Sequence, residues 1–343
     1  MATMGKKSPH PRDLRELGFH FGPAARDWIR DADIPRLARD AATVTTANTT
    51  VPVEITAYID PRVVEIMTAP RKARALFKER QEGGFVTPYA KFGFAELTGA
   101  TEPYSDKAKN RTSGVNFQWV GRDNHLIQTV IEYGDLEQEV TSEAKINLAS
   151  QKQRAAANIL DRDLNAIYMR GVAGKRVYGL LNAPNLNAAL TPAATGTGGS
   201  VLWSAKDANA IYDDVLALFS ALVAQSDGWV DENSRVKLAI APALAVRLNE
   251  PNQYGKTALG MLKENFSSFV VVTVPEMAAN GTNTMMLIAE ELQGNPVGEL
   301  GYSVKVQAGR VVPDLSSYSQ KWLAGTYGAL IWYPFGVATM RGM

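Results

Sequence analysis

The longest stretch without glycine or proline, Asp135 to Arg170, constrains this chain more than any other segment. Within it Leu136, Val140, Ala144, Leu148, Ala155, Ile159, Leu160, Leu164, Ile167 and Tyr168 recur mostly at spacings of four or seven, which marks one apolar helical face. Asp135 is a natural N-cap with Glu137 and Glu139 in the first turn, and Arg170 followed by Gly171 is a natural stop. At about 1.5 Å per residue the run predicts a helix of roughly 50 Å. The mean globular helix has about three turns, so the fold must supply a surface of girder length.

The rest of the chain has ordinary globular composition, 45% hydrophobic and 21% charged. Its 343 residues suggest about two lobes, at roughly 150 residues per domain. The absence of cysteine excludes a disulfide scaffold, thiolate metal sites and a cysteine nucleophile. A net charge of +1 argues against a dedicated nucleic-acid reader. No apolar core follows the early basic residues Lys6, Lys7, Arg12, Arg15 and Arg26, so no export signal is expected. Trp322–Met340 carries no charge over 19 residues, but Gly325, Gly328, Pro334 and Gly336 make it read as short buried strands, and the chain as soluble.

Residues 1–50 read as an arm. Pro9, Pro11, Pro23 and Pro35 punctuate it, and a short helix near Ala24–Ala32 would need a partner surface to bury Trp28. From Arg71 to His125 the chain is polar, β-leaning and rich in glycine. It holds ten basic residues against six acidic ones, with a turn-rich tip over residues 100–110 between alternating flanks such as Val115–Val120. That is a long hairpin, and projecting hairpins contact other chains. After the long helix come a glycine-rich break over 171–200 and an α/β lobe. The lobe has a helix opening at Ser204 and Asp207 with Ile211, Val215, Leu218, Phe219 and Leu222 inward, strands at Val236–Ile240, Phe269–Val274 and Met285–Ile288, and a short helix from Pro242 to Leu248. Closing strands are expected around Tyr302–Val306 and Trp322–Thr339.

The residues of chemistry are sparse. Only His10, His20 and His125 are available, with no His-x-x-x-His pair and no Gly-x-Ser-x-Gly elbow. Tyr254–Thr257 reads Tyr-Gly-Lys-Thr, but Glu250 stands where a phosphate loop needs its first glycine. The carboxylate pairs Asp213/Asp214, Glu290/Glu291 and Asp161/Asp163 have the chemistry for acid–base work or magnesium binding, but Asp161 and Asp163 flank Arg162 on the long helix, where ion pairing at a solvated or intersubunit face is the simpler reading. No catalytic, cofactor or metal residues are assigned.

The order of parts resembles the major capsid proteins of tailed bacteriophages. The resemblance spans about residues 50–343 and is carried by three runs: Val130–Glu139 at the helix entry, Gly179–Pro184 after the helix, and Gln320–Trp322 with Tyr333–Phe335 in the closing strands. It implies an α+β shell subunit. An N-terminal arm covers 1–50 and an extended β-hairpin loop 71–125. A peripheral domain comprises 51–70, 126–202 and 305–343, with a spine helix at about 135–170, and an α/β axial domain covers 203–304. It implies assembly as pentamers and hexamers into an icosahedral head around double-stranded DNA, in a virion built in the host bacterial cytoplasm, without enzymatic activity, cofactor or membrane. A separate scaffolding protein, a portal and a decoration protein are the implied partners. Trp28, Glu102, Tyr104, Asp106, Lys107, Lys109, Arg111, Asp161, Arg162 and Asp163 are the candidates for contacts between copies. Alternatives are an encapsulin-type compartment shell, which shares the fold, or a soluble α/β hydrolase or nucleotide-binding enzyme using Lys256 or His125.

Some members of this family carry Lys–Asn cross-links between subunits, which makes Lys107 and Lys109 worth testing; ordinary solvated lysines are expected. Boiled particles should therefore run on a denaturing gel as one band near 37.2 kDa, and a ladder of multiples would establish cross-linking.

Overall fold

The computed structural model describes residues 70–343 except 103, 105, 107–111, 144–146 and 282. By its contacts the chain divides into Met1–Arg62 and Val63–Met343. The first unit lies wholly outside the described residues, and with it the expected arm, its short helix and Trp28.

From Pro70 the second unit runs through α1 (Ala73–Leu76), β1 (Lys78–Gln81), β2 (Tyr89–Thr98), β3 (Gly114–Asp123) and β4 (His125–Gly134). Then follow α2 (Asp135–Glu143), α3 (Leu148–Arg170), α4 (Ala208–Gln225), β5 (Val236–Ile240), α5 (Pro242–Arg247), α6 (Ala258–Asn265) and β6 (Phe269–Thr273). The closing part is β7 (Thr284–Ala289), the two-residue strands β8 (Glu291–Leu292) and β9 (Asn295–Pro296), β10 (Gly298–Pro313), β11 (Ser317–Ile331) and β12 (Val337–Arg341).

The long helical run is not one rod. Asn147 is non-helical (φ −83°, ψ 88°), and its side chain accepts the Ser150 N–H at 3.0 Å, so α3 starts anew there. An asparagine side chain competes for backbone donors and favours caps over helix interiors; absence of glycine and proline did not guarantee continuity. The girder is thus 23 residues, about 34 Å at the usual rise. Of the expected apolar face Leu160, Leu164, Ile167 and Tyr168 are buried, joined by Ala156 and Met169, but Ala155 and Ile159 are exposed, and α2 buries nothing.

The chain builds two four-stranded sheets, and this helix packs on the first of them. One has the order β1-β10-β11-β4, with β1 parallel to β10 and the other pairs antiparallel. The other has the order β12-β7-β5-β6, with β5 and β6 parallel. The β10–β11 ladder shifts register four times between Gly301 and Val311.

These pairings move three expected boundaries. Residues 78–81 belong to the first sheet, not to the extended hairpin; all four are polar, and they join through backbone bonds that a hydrophobicity pattern does not reveal. β10 starts at Gly298, ahead of the expected border at 304. β12, expected with 305–343 in one domain, pairs with β7 and so joins the sheet of β5 and β6, not that of β10 and β11.

Three backbones meet without room for side chains where α3 ends. A Cβ on Gly328 (φ +81°) would lie 2.3 Å from the Tyr178 carbonyl oxygen, and one on Gly179 2.4 Å from the Arg170 nitrogen. The Ala329 N–H donates to the Tyr178 carbonyl at 2.8 Å, stitching the post-helix turn to β11. One continuous core then runs from Leu164, Tyr168 and Met169 of α3 through Trp203 and the inner face of α4 to β5, β7 and β12. The expected inward residues Ile211, Val215, Leu218, Phe219 and Leu222 are all buried, at about 1.5–3 kcal/mol each, and Asp207 caps α4 by accepting the Ala210 N–H at 2.9 Å.

Asp214 of α4 is buried in this core. Its carboxylate accepts from Trp203 Nε1 at 2.8 Å, Lys206 Nζ at 2.6 Å and the Ala193 N–H at 3.1 Å, tying the glycine-rich break to the helix. The Lys206 ammonium is fully enclosed beside it. Asp214→Ala strands that cation, so urea unfolding should show a loss of about 3–5 kcal/mol, while the double change Lys206→Met with Asp214→Leu recovers only part of it, because the Trp203 Nε1–H and the Ala193 N–H stay without an acceptor.

Candidate intersubunit surface

β2 and β3 form a ribbon of ten residues each, in register from Tyr89 opposite Asp123 to Thr98 opposite Gly114, and they pair with no other strand. Strand alternation gives the ribbon two unlike faces. On one, Phe92 and Phe94 pack on Trp332, with ring centroids 5.3 and 5.9 Å apart, and Phe92 also meets Tyr327 edge-on at 6.3 Å. The other carries Leu97, Val115, Phe117 and Trp119, and nothing in the described chain covers it: Leu97 is 84%, Phe117 70% and Trp119 65% exposed. Gly93 sits beneath Trp119, where a Cβ would come within 3.0 Å of the indole.

The ribbon's root is fastened by polar contacts. Asp123 accepts the Arg176 backbone N–H at 2.9 Å and its guanidinium at 2.8 Å, and these bonds hold the carboxyl below its ordinary pKa. Asn124 donates to the Thr87 carbonyl at 2.9 Å and accepts from Ser303 at 2.8 Å. Next to Asp123, Arg122 is buried with its guanidinium over the Tyr178 ring at 4.5 Å; burial lowers its pKa and Tyr178 opposes the shift.

The sequence candidates fall into separate places. Glu102, Tyr104 and Asp106 stand exposed at the ribbon tip, where a hydrogen bond to Asp106 raises the Tyr104 pKa. Lys107, Lys109 and Arg111 lie outside the described residues. On α3, Asp161 is engaged inside the chain by Arg71 and Arg74, the latter at 2.5 Å, whereas Arg162 and Asp163 pair loosely at 3.4 Å on the exposed side. Arg74 also meets Glu79 at 2.6 Å, so this network fastens α1 and β1 to α3. Five of the ten basic residues counted toward the hairpin, from Arg71 to Arg80, sit here rather than in the ribbon, which is therefore nearly charge-balanced. The apolar outer face escaped notice as a site, although its signal is plain in the alternation of Val115, Phe117 and Trp119.

Elsewhere the polar groups serve structure. Lys175 Nζ lies 3.0 Å from His125 Nδ1; burial, and then that ammonium, depress the imidazole pKa. In Tyr254–Thr257, Gly255 takes φ +75°, Thr257 caps α6, and Lys256 pairs with Glu264 at 2.9 Å. Glu290 pairs with Lys237 at 3.3 Å. Among the described residues no group of three or more His, Asp or Glu is placed to hold a metal ion, and no helix is long and apolar enough to cross a membrane.

Comparison with known proteins places this geometry. A family model described as Pa193 gp26 major capsid protein matches residues 42–342. No curated protein matches. Among solved structures, the capsid of Myoviridae phage XM1 superposes with a TM-score of 0.70 at 12% identity, covering 87% of this chain and 100% of that one. A Mycobacterium phage Ogopogo chain gives 0.53 at 12% identity, covering 86% and 99%, and the capsid of an empty GTA particle gives 0.54 at 11%, covering 87% and 99%. At these identities the structures establish the shared fold.

Serine at both Leu97 and Phe117 removes apolar area that the subunit does not bury, so each change should shift its unfolding free energy by no more than about 0.5 kcal/mol. Self-association, followed by sedimentation velocity, should weaken sharply in the same variant.

Proposed function

The chain belongs to the Pa193 gp26 major capsid protein family; it is a structural protein of a tailed-phage head shell, found in the virion capsid, and from that premise we propose how its parts serve the shell. Copies assemble as pentamers and hexamers into an icosahedral head around double-stranded DNA. The β2–β3 ribbon is the extended loop and lies against a neighbouring copy through Leu97, Val115, Phe117 and Trp119. Glu102, Tyr104 and Asp106 at its tip, and Arg162 and Asp163 on α3, make polar contacts between copies. The sheet containing β10 and β11, with α3, forms the peripheral domain; the sheet completed by β12, with α4, forms the axial domain. The chain performs no catalysis, and scaffolding, portal and decoration proteins are its partners in assembly.

The match of one family model across residues 42–342 carries this reading. The ribbon supports it physically, because a two-stranded ribbon is marginal alone and its uncovered aromatic face gains by burial against another surface. The net charge of +1 suits a wall that encloses a polyanion without gripping it.

Negative-stain electron microscopy of the purified protein should show closed particles, and size-exclusion chromatography should show megadalton material. A stable monomer with enzymatic turnover would overturn the assignment of these parts to a shell.

A further inference from the structure

Arg122 stands at the root of the ribbon with only 8% of its surface exposed. A buried guanidinium ordinarily has a carboxylate or several hydrogen-bond acceptors beside it. Among the described residues Arg122 has neither. Its neighbour Asp123 is occupied by Arg176, and the face of Tyr178 is its sole compensation. The side chain lines a small cleft with Pro184, Asn185, Leu186, Ile331 and Pro334. No Arg122 nitrogen is among the sealed unpartnered atoms, so the guanidinium keeps some access to solvent. The free volume is about 10 Å³, room for one oxygen atom.

We propose that this cleft receives a carboxylate from a second copy of the chain, one oxygen of which seats beside Arg122 when copies assemble. A second copy is the occupant because the family builds shells from copies of one subunit, and because the cleft adjoins the ribbon whose outer face is uncovered. Helix α2 carries suitable carboxylates to accept from the guanidinium. Asp135, Glu139 and Glu143 form no ion pair among the described residues, Glu137 is held by Lys152 at 2.8 Å, and Leu136 and Val140 of the same helix are exposed. An acidic helix with an unburied apolar edge complements a recessed cation bordered by proline and leucine. The charge stays unpaired in the free subunit and is neutralised on association, so the contact favours the assembled state over the free one.

This inference rests on the shell assembly proposed above, and the test separates the two. Arg122→Met keeps the stem and removes the charge: the free subunit should melt no lower than the unaltered chain, while the concentration needed for particle formation rises at least about tenfold, as expected for one lost buried charge pair. Glu139→Gln with Glu143→Gln should raise that threshold too, and Arg122→Lys should fall between. In a high-resolution map of unaltered particles, a neighbour's carboxylate oxygen should lie about 2.7–3.2 Å from the guanidinium. Only water or own-chain atoms at that position, or an unchanged threshold for Arg122→Met, overturns the inference alone. If Arg122→Met does not fold, the map decides. Failure of the unaltered chain to form particles removes the shell assembly and this contact together.

Discussion

The crossing of three backbones at Gly171, Gly179 and Gly328 is the contact on which the rest of the structure depends. It fixes the C-terminal end of α3 to β11 at a separation no side chain permits. β11 then holds β10 on one side and β4 on the other, and β10 in turn holds β1. Replacing any of these glycines would push the helix off the sheet, and the root of the ribbon, anchored through Asp123 to Arg176 just after the helix, would move with it.

Charge is distributed in keeping with this plan. Inside the chain, carboxylates are spent on fastening: Asp161 and Glu79 hold α1 and β1 to the spine, and Asp214 ties a glycine-rich loop to α4. With no cysteine, these ties and one continuous core do the bracing. At the surface the priorities reverse, and aromatic area on the ribbon is left facing water. A chain that buries Lys206 completely yet exposes Trp119 and Phe117 has one surface finished within the subunit and another that is left uncovered among the described residues.

Much of the fold was legible in local sequence. Asp207 opening α4, Pro242 opening α5, the strands of the α/β lobe and the stop at Arg170–Gly171 all follow from side chains acting on their own backbone, although β6, expected to be buried, leaves Val270 exposed. The misplaced features depend on distant partners or on competition. Asn147 interrupts a run that looked continuous because its amide prefers to cap. Lys78–Gln81 join a sheet without any apolar pattern, and Val337–Arg341 pair with β7, some fifty residues back in the chain, which no local pattern announces. The site was legible to a lesser degree. Tip residues were found by their turn chemistry, but Asp161 resembled a surface charge until Arg71 and Arg74, distant in sequence, were seen to hold it. Arg122 carries no sequence signal, because its peculiarity is the absence of an acceptor among the described residues.

The fourfold register shift along β10 and β11 has a mechanical meaning. Each break in a ladder frees a short length of strand to twist, so bending need not concentrate at one hinge. Identical subunits on a closed surface meet their neighbours at unlike angles. In the shell proposed above, the β10–β11 ladder, interrupted between Gly301 and Val311, would divide that difference into small increments along its length.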